Sequence, residues 1–506
     1  MRSRQAPSPR GSWLALVPRH GWLPRPLSNS GSSAPCSEAR PNLALPLGGP
    51  ARTHICAPFT VRSHSAAPSA DVSNPPAKPL SLGVIFLTLY IDLIGFSVAF
   101  PLAPRMLQYY LGQESGAGGP LGWILNQIHA ITPATADNQL FVAALFGGVL
   151  SGLYGFLQFL FAPIWGARSD RLGRRPVLLA TVAGNALSYL LWAFSGSFWL
   201  FVVSRVLGGA MSGNLSVATA AVADVTTREN RAKGMGIVGA AFGLGFITGP
   251  AIGGIIGAVE PSPEWARWGI NPFSVVALVA FGFSLLNLVW ISARFRETLN
   301  PEHRAEAGQE RTRNPIAGLL TLGNAATRRA NLSYFLFAIV FGAFEATISF
   351  LAAERLHYSE HQLVSIFVFI GLISILTQGF LVRRIMPRIG EKTGALSGIF
   401  WIALGFSGLA FSHTAGAMYI SLTFVGIGSG FANVGLSALV SLYSGAGEQG
   451  RALGIYRSLG SLARALGPLW AGLVFWRYHG ERMYIVAAIL MCAPLLVGAQ
   501  LPKPQK

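Results

Sequence analysis

Apolar runs close to the length of a membrane crossing recur along residues 82 to 497, separated by short polar turns. The first six are Leu82–Leu107, Leu140–Trp165, Val177–Phe194, Trp199–Ala223, Gly234–Val259 and Pro272–Ser292. A polar stretch, "RFRETLNPEHRAEAGQERTRNP", precedes six more: Leu332–Leu351, Leu363–Leu381, Gly394–Phe411, Met418–Leu442, Leu453–Phe475 and Met483–Val497. A helix needs about 20 residues to cross the hydrocarbon layer, and most of the runs reach that length. The pattern predicts an all-α polytopic membrane protein, with twelve transmembrane helices in two pseudo-symmetric six-helix bundles. The bundles occupy 81–292 and 330–500, with a linker at 293–329, an N-terminal extension at 1–80 and a tail at 501–506.

Composition agrees. Of 506 residues, 52% are hydrophobic and only 11% charged, too few charges to cover a soluble chain of this size. The net charge of +18 sits in short runs between apolar segments, which favours lipid headgroups and no nucleic acid. The turn after the second run holds Arg168, Asp170, Arg171, Arg174 and Arg175; the one after the eighth holds Arg383, Arg384, Arg388, Glu391 and Lys392. With Lys and Arg kept cytoplasmic, both termini and the linker face the cytoplasm. The first 80 residues carry nine Lys or Arg against Glu38 and Asp71, with many prolines, and read as disordered. Their low acidity leaves a mitochondrial membrane open beside the plasma membrane or another internal membrane. Cys36, Cys56 and Cys492 are too few and scattered for a disulfide framework or metal site, and His129, His357, His413 and His479 lack metal-ligand spacing. No nucleotide-binding glycine loop occurs. The chain therefore reads as no enzyme, with no catalytic residue, metal or cofactor.

Charges inside apolar runs are costly and mark cavities or partners. Asp92, Arg205, Glu345, Arg457 and Arg464 are such charges. Asp92 and Glu345 are the deep carboxylates and the candidate proton carriers. Arg205 is a carboxylate's partner or a member of the proton relay. Arg457 and Arg464, seven apart with Ser461 between them, share a helix face that would hold an anion. Arg457 lies near enough to the end of its run to meet a loop acid or a headgroup instead. Asn433, Gln378, Asn214 and Tyr334 are further polar contacts for a solute.

The halves echo each other. "DVTTRENRAKGMGIVGAAFGLGFITGPAIGG" from Asp224 is similar to "YSGAGEQGRALGIYRSLGSLARALGPLWAG" from Tyr443, each ending near a Gly-Pro pair. Such repeats place a transport site between the halves at mid-membrane. The turn "GARSDRLGRR" from Gly166 has the form G-x-x-x-D-R-x-G-R-R and resembles the signature of the major facilitator superfamily. "DLIGFSVAFPLAP" in the first run, and Gly236, Gly245, Gly249, Pro250, Gly253 and Gly254 in the fifth, resemble its proton-coupled drug antiporter branch, which includes tetracycline exporters. "SRVLGGAMSGNLSVATAAVAD" and "YRSLGSLARALGPL" are similar to that superfamily's animal tetracycline-transporter-like members, which implies an organic anion as solute.

The resemblance implies a secondary transporter driven by a proton gradient, working as a monomer on a small organic solute. It further implies exchange of an amphipathic organic anion for protons by alternating access. Gly166, Asp170, Arg171, Gly173, Arg174 and Asp224 would form a latch that joins the halves in the outward-facing state and comes apart when the cytoplasmic side opens, with Asp170 facing a helix N-terminus and Asp224 pairing with Arg174. The glycines and Pro250 of the fifth run would serve close packing, including contact with the eighth, or coupling. Efflux of cationic or zwitterionic drugs, and a non-transporting receptor or scaffold, are the alternatives.

Overall fold

Within a hydrocarbon layer every backbone N–H and C=O must find its partner inside the chain, so an apolar run of spanning length folds as helix. The computed structural model describes residues 80–115, 120–131, 138–227, 231–259, 261–299, 324–444 and 449–503, and among these it is helical with no strand. The N-terminal extension and most of the linker lie outside the described residues.

The spans are Leu82–Gln113, Gln139–Leu172, Arg174–Ala193, Phe198–Val225, Ile237–Ile256 and Ser274–Arg294, then Ala325–Leu356, His361–Ile389, Glu391–Ala410 and Ala415–Tyr443. They are numbered 1 to 10 below. Ala452–Ala499 is continuous by hydrogen bonding but holds two crossings, because His479 sits at φ 68 and ψ 170 and reverses the chain between spans 11 and 12. The twelve-helix fold is thus present.

Details depart from the apolar pattern for local reasons. Span 1 passes through a 3₁₀ turn at Phe100–Leu102, where Pro101 and Pro104 remove backbone donors, and continues beyond Leu107 to Ser115. Span 8 contains a π turn at Thr377–Leu381. Span 7 begins at Ala325, inside the stretch assigned to the linker, because the Asn324 side chain accepts from the Ala326 N–H at 2.9 Å and starts the helix early. A short helix at Pro120–Ile131, only 12 residues and too short to stand out as a crossing, lies between spans 1 and 2.

The two basic turns correspond in backbone. Gly173 (φ 105, ψ 159) and Gly390 (φ 82, ψ 157) each reverse the chain into the next helix, a conformation that a side chain would strain. This is the end of the bundle called the basic end below.

Small residues set the close approaches. On span 2, a Cβ at Gly148 would meet Gly472, one at Gly152 would meet Leu469, and one at Gly155 would meet the Arg464 backbone, so spans 2 and 11 touch along a glycine strip. On span 5, added Cβ atoms at Gly245, Gly249 and Gly253 would overlap Leu93, Ser97 and Val98. These glycines therefore seat span 1 of the same half. Contact with span 8, expected of the same glycines, is made by Ile247, whose side chain fills the place of a Cβ at Gly371. Gly254 is buried; the surroundings of Gly236 fall outside the described positions.

Candidate functional site

Two groups of polar side chains face each other across the middle of the bundle. In the first half, span 1 carries Asp92 near Asn185 on span 3 and Asn214 on span 4, whose Nδ2 is buried without a hydrogen-bond partner. Both asparagines are buried, and Asn214 Oδ1 also accepts from the Leu215 N–H at 2.9 Å. Tyr154, on span 2, lies within electrostatic reach of Asp92, Arg205 and Arg464 at once. Arg205 is not paired with a carboxylate as one reading of the sequence had it. Its guanidinium lies 4.9 Å over the Trp192 ring and 5.4 Å over Phe201. Its ε nitrogen is 3.4 Å from Ser204 Oγ, and one η nitrogen is buried without a hydrogen-bond partner. A cation held by ring faces keeps its charge uncancelled by any anion.

In the second half, Glu345 on span 7 has Arg464 on span 11 as its charged neighbour. Arg464 Nε donates to Gln158 Oε1 of span 2 at 3.1 Å, and an η nitrogen donates to Ser461 Oγ at 3.3 Å. Arg457, two turns away on the same face, donates to Thr219 Oγ1 of span 4 at 3.0 Å. The arginines thus do share a face, and both cross to the other half. Arg457 thereby meets a span 4 hydroxyl. Tyr334 stacks on Tyr456 with ring centroids 3.6 Å apart, beside the same arginines. Asn433 turns its amide nitrogen to its own helix, at Ser429 O, 3.0 Å. Gln378 lies in the π turn, opposite Gly239.

Away from the basic end the halves close on each other. Phe100 packs 6.0 Å from Phe367, and its carbonyl accepts from Ser349 Oγ at 3.3 Å. Phe141 of span 2 packs edge-on against His479 at 4.3 Å and lies 6.0 Å from Phe475. The polar middle is therefore sealed on that side by aromatic rings.

At the basic end, Arg174 is buried and bonds Asp170 Oδ1 at 2.5 Å, Ser169 Oγ at 2.7 Å and Asp224 Oδ2 at 2.9 Å. Ser169 Oγ in turn donates to Gly166 O at 2.8 Å. Asp224 is the partner of Arg174, as expected, while Arg171 is exposed at the rim. These partners of Arg174 all belong to the first half, so the contacts clasp spans 2, 3 and 4 together. Glu297 faces a helix N-terminus: its carboxylate accepts from the N–H groups of Arg174 at 2.7 Å and Arg175 at 3.1 Å, the start of span 3. Thr298 Oγ1 adds a bond to Asp224 at 3.0 Å.

A sequence profile of the Major Facilitator Superfamily matches residues 85–468 and, overlapping, 332–505. The chain belongs to that superfamily. It is 32% identical over 460 residues to the mouse protein named major facilitator superfamily domain-containing protein 10, covering 85% of this chain and 96% of the mouse one. It is 30% identical over 398 residues to the class B tetracycline resistance protein of Escherichia coli, covering 78% and 88%. Among solved structures, the crystal structure of the human organic anion transporter MFSD10 (TETRAN) superposes with a TM-score of 0.65 at 31% identity, over 84% of this chain and all of that one. The superfamily member described here is a multi-pass membrane transporter and not an enzyme.

Several residues of the site were missed by sequence reasoning: Tyr154, Gln158, Asn185, Tyr456 and Glu297. All are uncharged or lie in a polar linker, so none stands out against its surroundings. Gly148, Gly152 and Gly155 did leave a signal, small residues at helical spacing in "GGVLSGLYG".

Proposed function

We propose that this superfamily member exchanges an amphipathic organic anion for protons by alternating access, with Arg464 as the main cation for the solute. The observation that carries this reading is the position of Arg464, a mid-membrane guanidinium that reaches across the interface to Gln158 with Glu345 as its charged neighbour. An anion in a cavity of low polarity needs a fixed counter-charge, and a guanidinium holds a carboxylate or sulfonate through two parallel bonds. The Tyr334 and Tyr456 pair and the ring-supported Arg205 supply apolar faces and a second cation. That the human MFSD10 structure is described as that of an organic anion transporter supports the same solute class.

Coupling requires that proton and solute favour opposite access states. Asp92, in the first half and apart from Arg464, is the proton site suited to exchange. Glu345 has a different sign. While charged it offsets Arg464, and once protonated it leaves Arg464 free for the anion. A proton on Glu345 therefore favours anion binding, which supports co-movement as a second reading. With basic loops facing the cytoplasm, the seal of Phe100 and Phe367 lies on the side away from the cytoplasm.

The test is a screen of organic anions and cations in reconstituted vesicles under imposed pH gradients of both signs. Exchange predicts anion uptake driven by an acidic interior and lost in Asp92→Asn. Uptake driven by an acidic exterior and altered in Glu345→Gln would select co-movement. Cation uptake unchanged in Arg464→Ala would overturn the anion reading.

A further inference from the structure

Span 8 runs on at the basic end as the helix Val382–Ile389, directly after its π turn. The inward face is settled by packing: Val382 and Met386 lie on Phe431 of span 10, and the Met386 sulfur fills the place of a Cβ at Gly394. The outward face carries Arg383, Arg384 and Arg388, all exposed. One row of exposed residues at four-residue spacing runs along this side of the span: Leu372, Leu376, Phe380, Arg384 and Arg388. Residues so spaced are neighbours on a helix surface. The row passes the π turn unbroken, since the Arg384 guanidinium lies 4.3 Å over the Phe380 ring. It is therefore apolar through the depth of the membrane and doubly cationic at its end.

The two halves treat their basic turns differently. Counted from the matching glycines Gly173 and Gly390, Asp170 corresponds to Pro387 and Arg174 to Glu391. The first half neutralises its arginine with Asp170 and Asp224. In the second half no carboxylate among the described residues forms an ion pair with Arg383, Arg384 or Arg388, and Glu391 lies within electrostatic reach of Tyr443. Nor does the sequence of the linker hold an excess of acid, since Glu302, Glu306 and Glu310 are matched in number by Arg304, Arg311 and Arg313.

We infer that this row is the seat of one anionic phospholipid, its phosphate held by Arg384 and Arg388 and an acyl chain lying along Phe380, Leu376 and Leu372. Stacking on Phe380 occupies the face of the Arg384 guanidinium and leaves its in-plane N–H groups for phosphate oxygens, which a guanidinium can hold two at a time. A zwitterionic headgroup would bring its own cation against the two arginines, so the seat selects a lipid of net negative charge. Ile385 and Ile389, both exposed, flank the row and keep this helix at headgroup depth.

The test places a nitrobenzoxadiazole label on Gly379→Cys, an exposed position beside the row where a Cβ meets nothing within 4 Å. It uses full-length protein whose native cysteines are replaced by serine, in phosphatidylcholine nanodiscs. Phosphatidylglycerol or phosphatidylcholine carrying a doxyl group on one chain is introduced at rising mole fraction as the quencher. The expected result is saturable quenching by the phosphatidylglycerol and only proportional quenching by the phosphatidylcholine. Apparent affinity for the phosphatidylglycerol should fall about tenfold or more in Arg384→Gln/Arg388→Gln, which removes both cations from the headgroup. Arg171→Gln/Arg383→Gln takes the same charge from the basic end off the row and should keep the parent curve. Arg384→Lys/Arg388→Lys, which retains charge if the glutamine pair fails to fold, should bind more weakly than the parent for want of the planar fork. Equal quenching by the two lipids, or equal loss in both glutamine pairs, would overturn the seat. Millimolar inorganic phosphate should leave the selectivity intact; its abolition would mark a site for free anions and overturn the assignment to lipid.

Discussion

Arg464 Nε donates to Gln158 Oε1 at 3.1 Å across the interface between the two halves, at the level where span 2 presents Gly155 to the Arg464 backbone. A side-chain bond and a close backbone approach therefore coincide at the proposed counter-charge for the solute, so on that proposal solute binding and relative motion of the halves act on the same group.

Replacing Arg464 with Ala is expected to lower anion uptake at least tenfold, and Gln158→Ala by less, because a bond to a charged group contributes about 1.5–3 kcal/mol. The double variant should be no worse than Arg464→Ala alone, since Gln158 acts through the arginine. Additive losses in vesicle uptake would detach Gln158 from Arg464.

Removal of Arg174 leaves Asp170 and Asp224 without their shared cation. Breaking such a buried pair costs about 3–5 kcal/mol, so Arg174→Ala should lower the unfolding temperature of the purified protein far more than Arg171→Ala, whose side chain is exposed. Glu297→Ala should fall between them, with a loss of about 1–2 kcal/mol typical of an N-terminal cap. Equal unfolding temperatures for all three would contradict the clasp.

Gly253→Ala and Gly371→Ala are expected to impair folding or yield, because the new Cβ overlaps Val98 O in one case and Ile247 in the other. Overpacking of this kind costs about 1–3 kcal/mol. Gly379→Ala, which meets nothing within 4 Å, is the matched control and should behave as the parent protein. Melting curves of the three variants in one detergent decide the matter.

His479, at the turn between spans 11 and 12, has its pKa lowered from 6.5 by partial burial first and then by Arg482 and Arg355. The folded state thus binds this proton more weakly than the unfolded one. The stability it contributes is complete above pH 6.5 and is lost as pH falls through the lower folded value. Glu354 Oε1, 3.6 Å from His479 Nδ1, limits the loss. His479→Gln should therefore flatten the dependence of unfolding temperature on pH below 6.5, and a slope identical to the parent's would rule the histidine out.

Labelling of single cysteines placed in the 293–329 linker should occur only from the cytoplasmic side in sealed cells. Modification by an impermeant reagent from outside would reverse the orientation assigned from the Lys and Arg turns.

The apolar runs by themselves determined the helical class and the number of crossings, because lipid offers the backbone no partner and leaves helix as the solution for each run. Even the boundary hardest to see, between spans 11 and 12, was marked by "RYHGER", polar residues that cannot rest in hydrocarbon. Isolated charges such as Asp92, Glu345 and Arg464 were legible for the same reason: the cost of burying them makes them conspicuous in an apolar run. Tertiary structure decided what those charges meet. Arg205 rests on Trp192 and Phe201, Arg457 reaches Thr219, Glu297 caps span 3, and the span 5 glycines seat span 1. Partners of this kind lie up to 238 residues apart and are fixed by how helices rotate and cross, which periodicity along one helix does not specify.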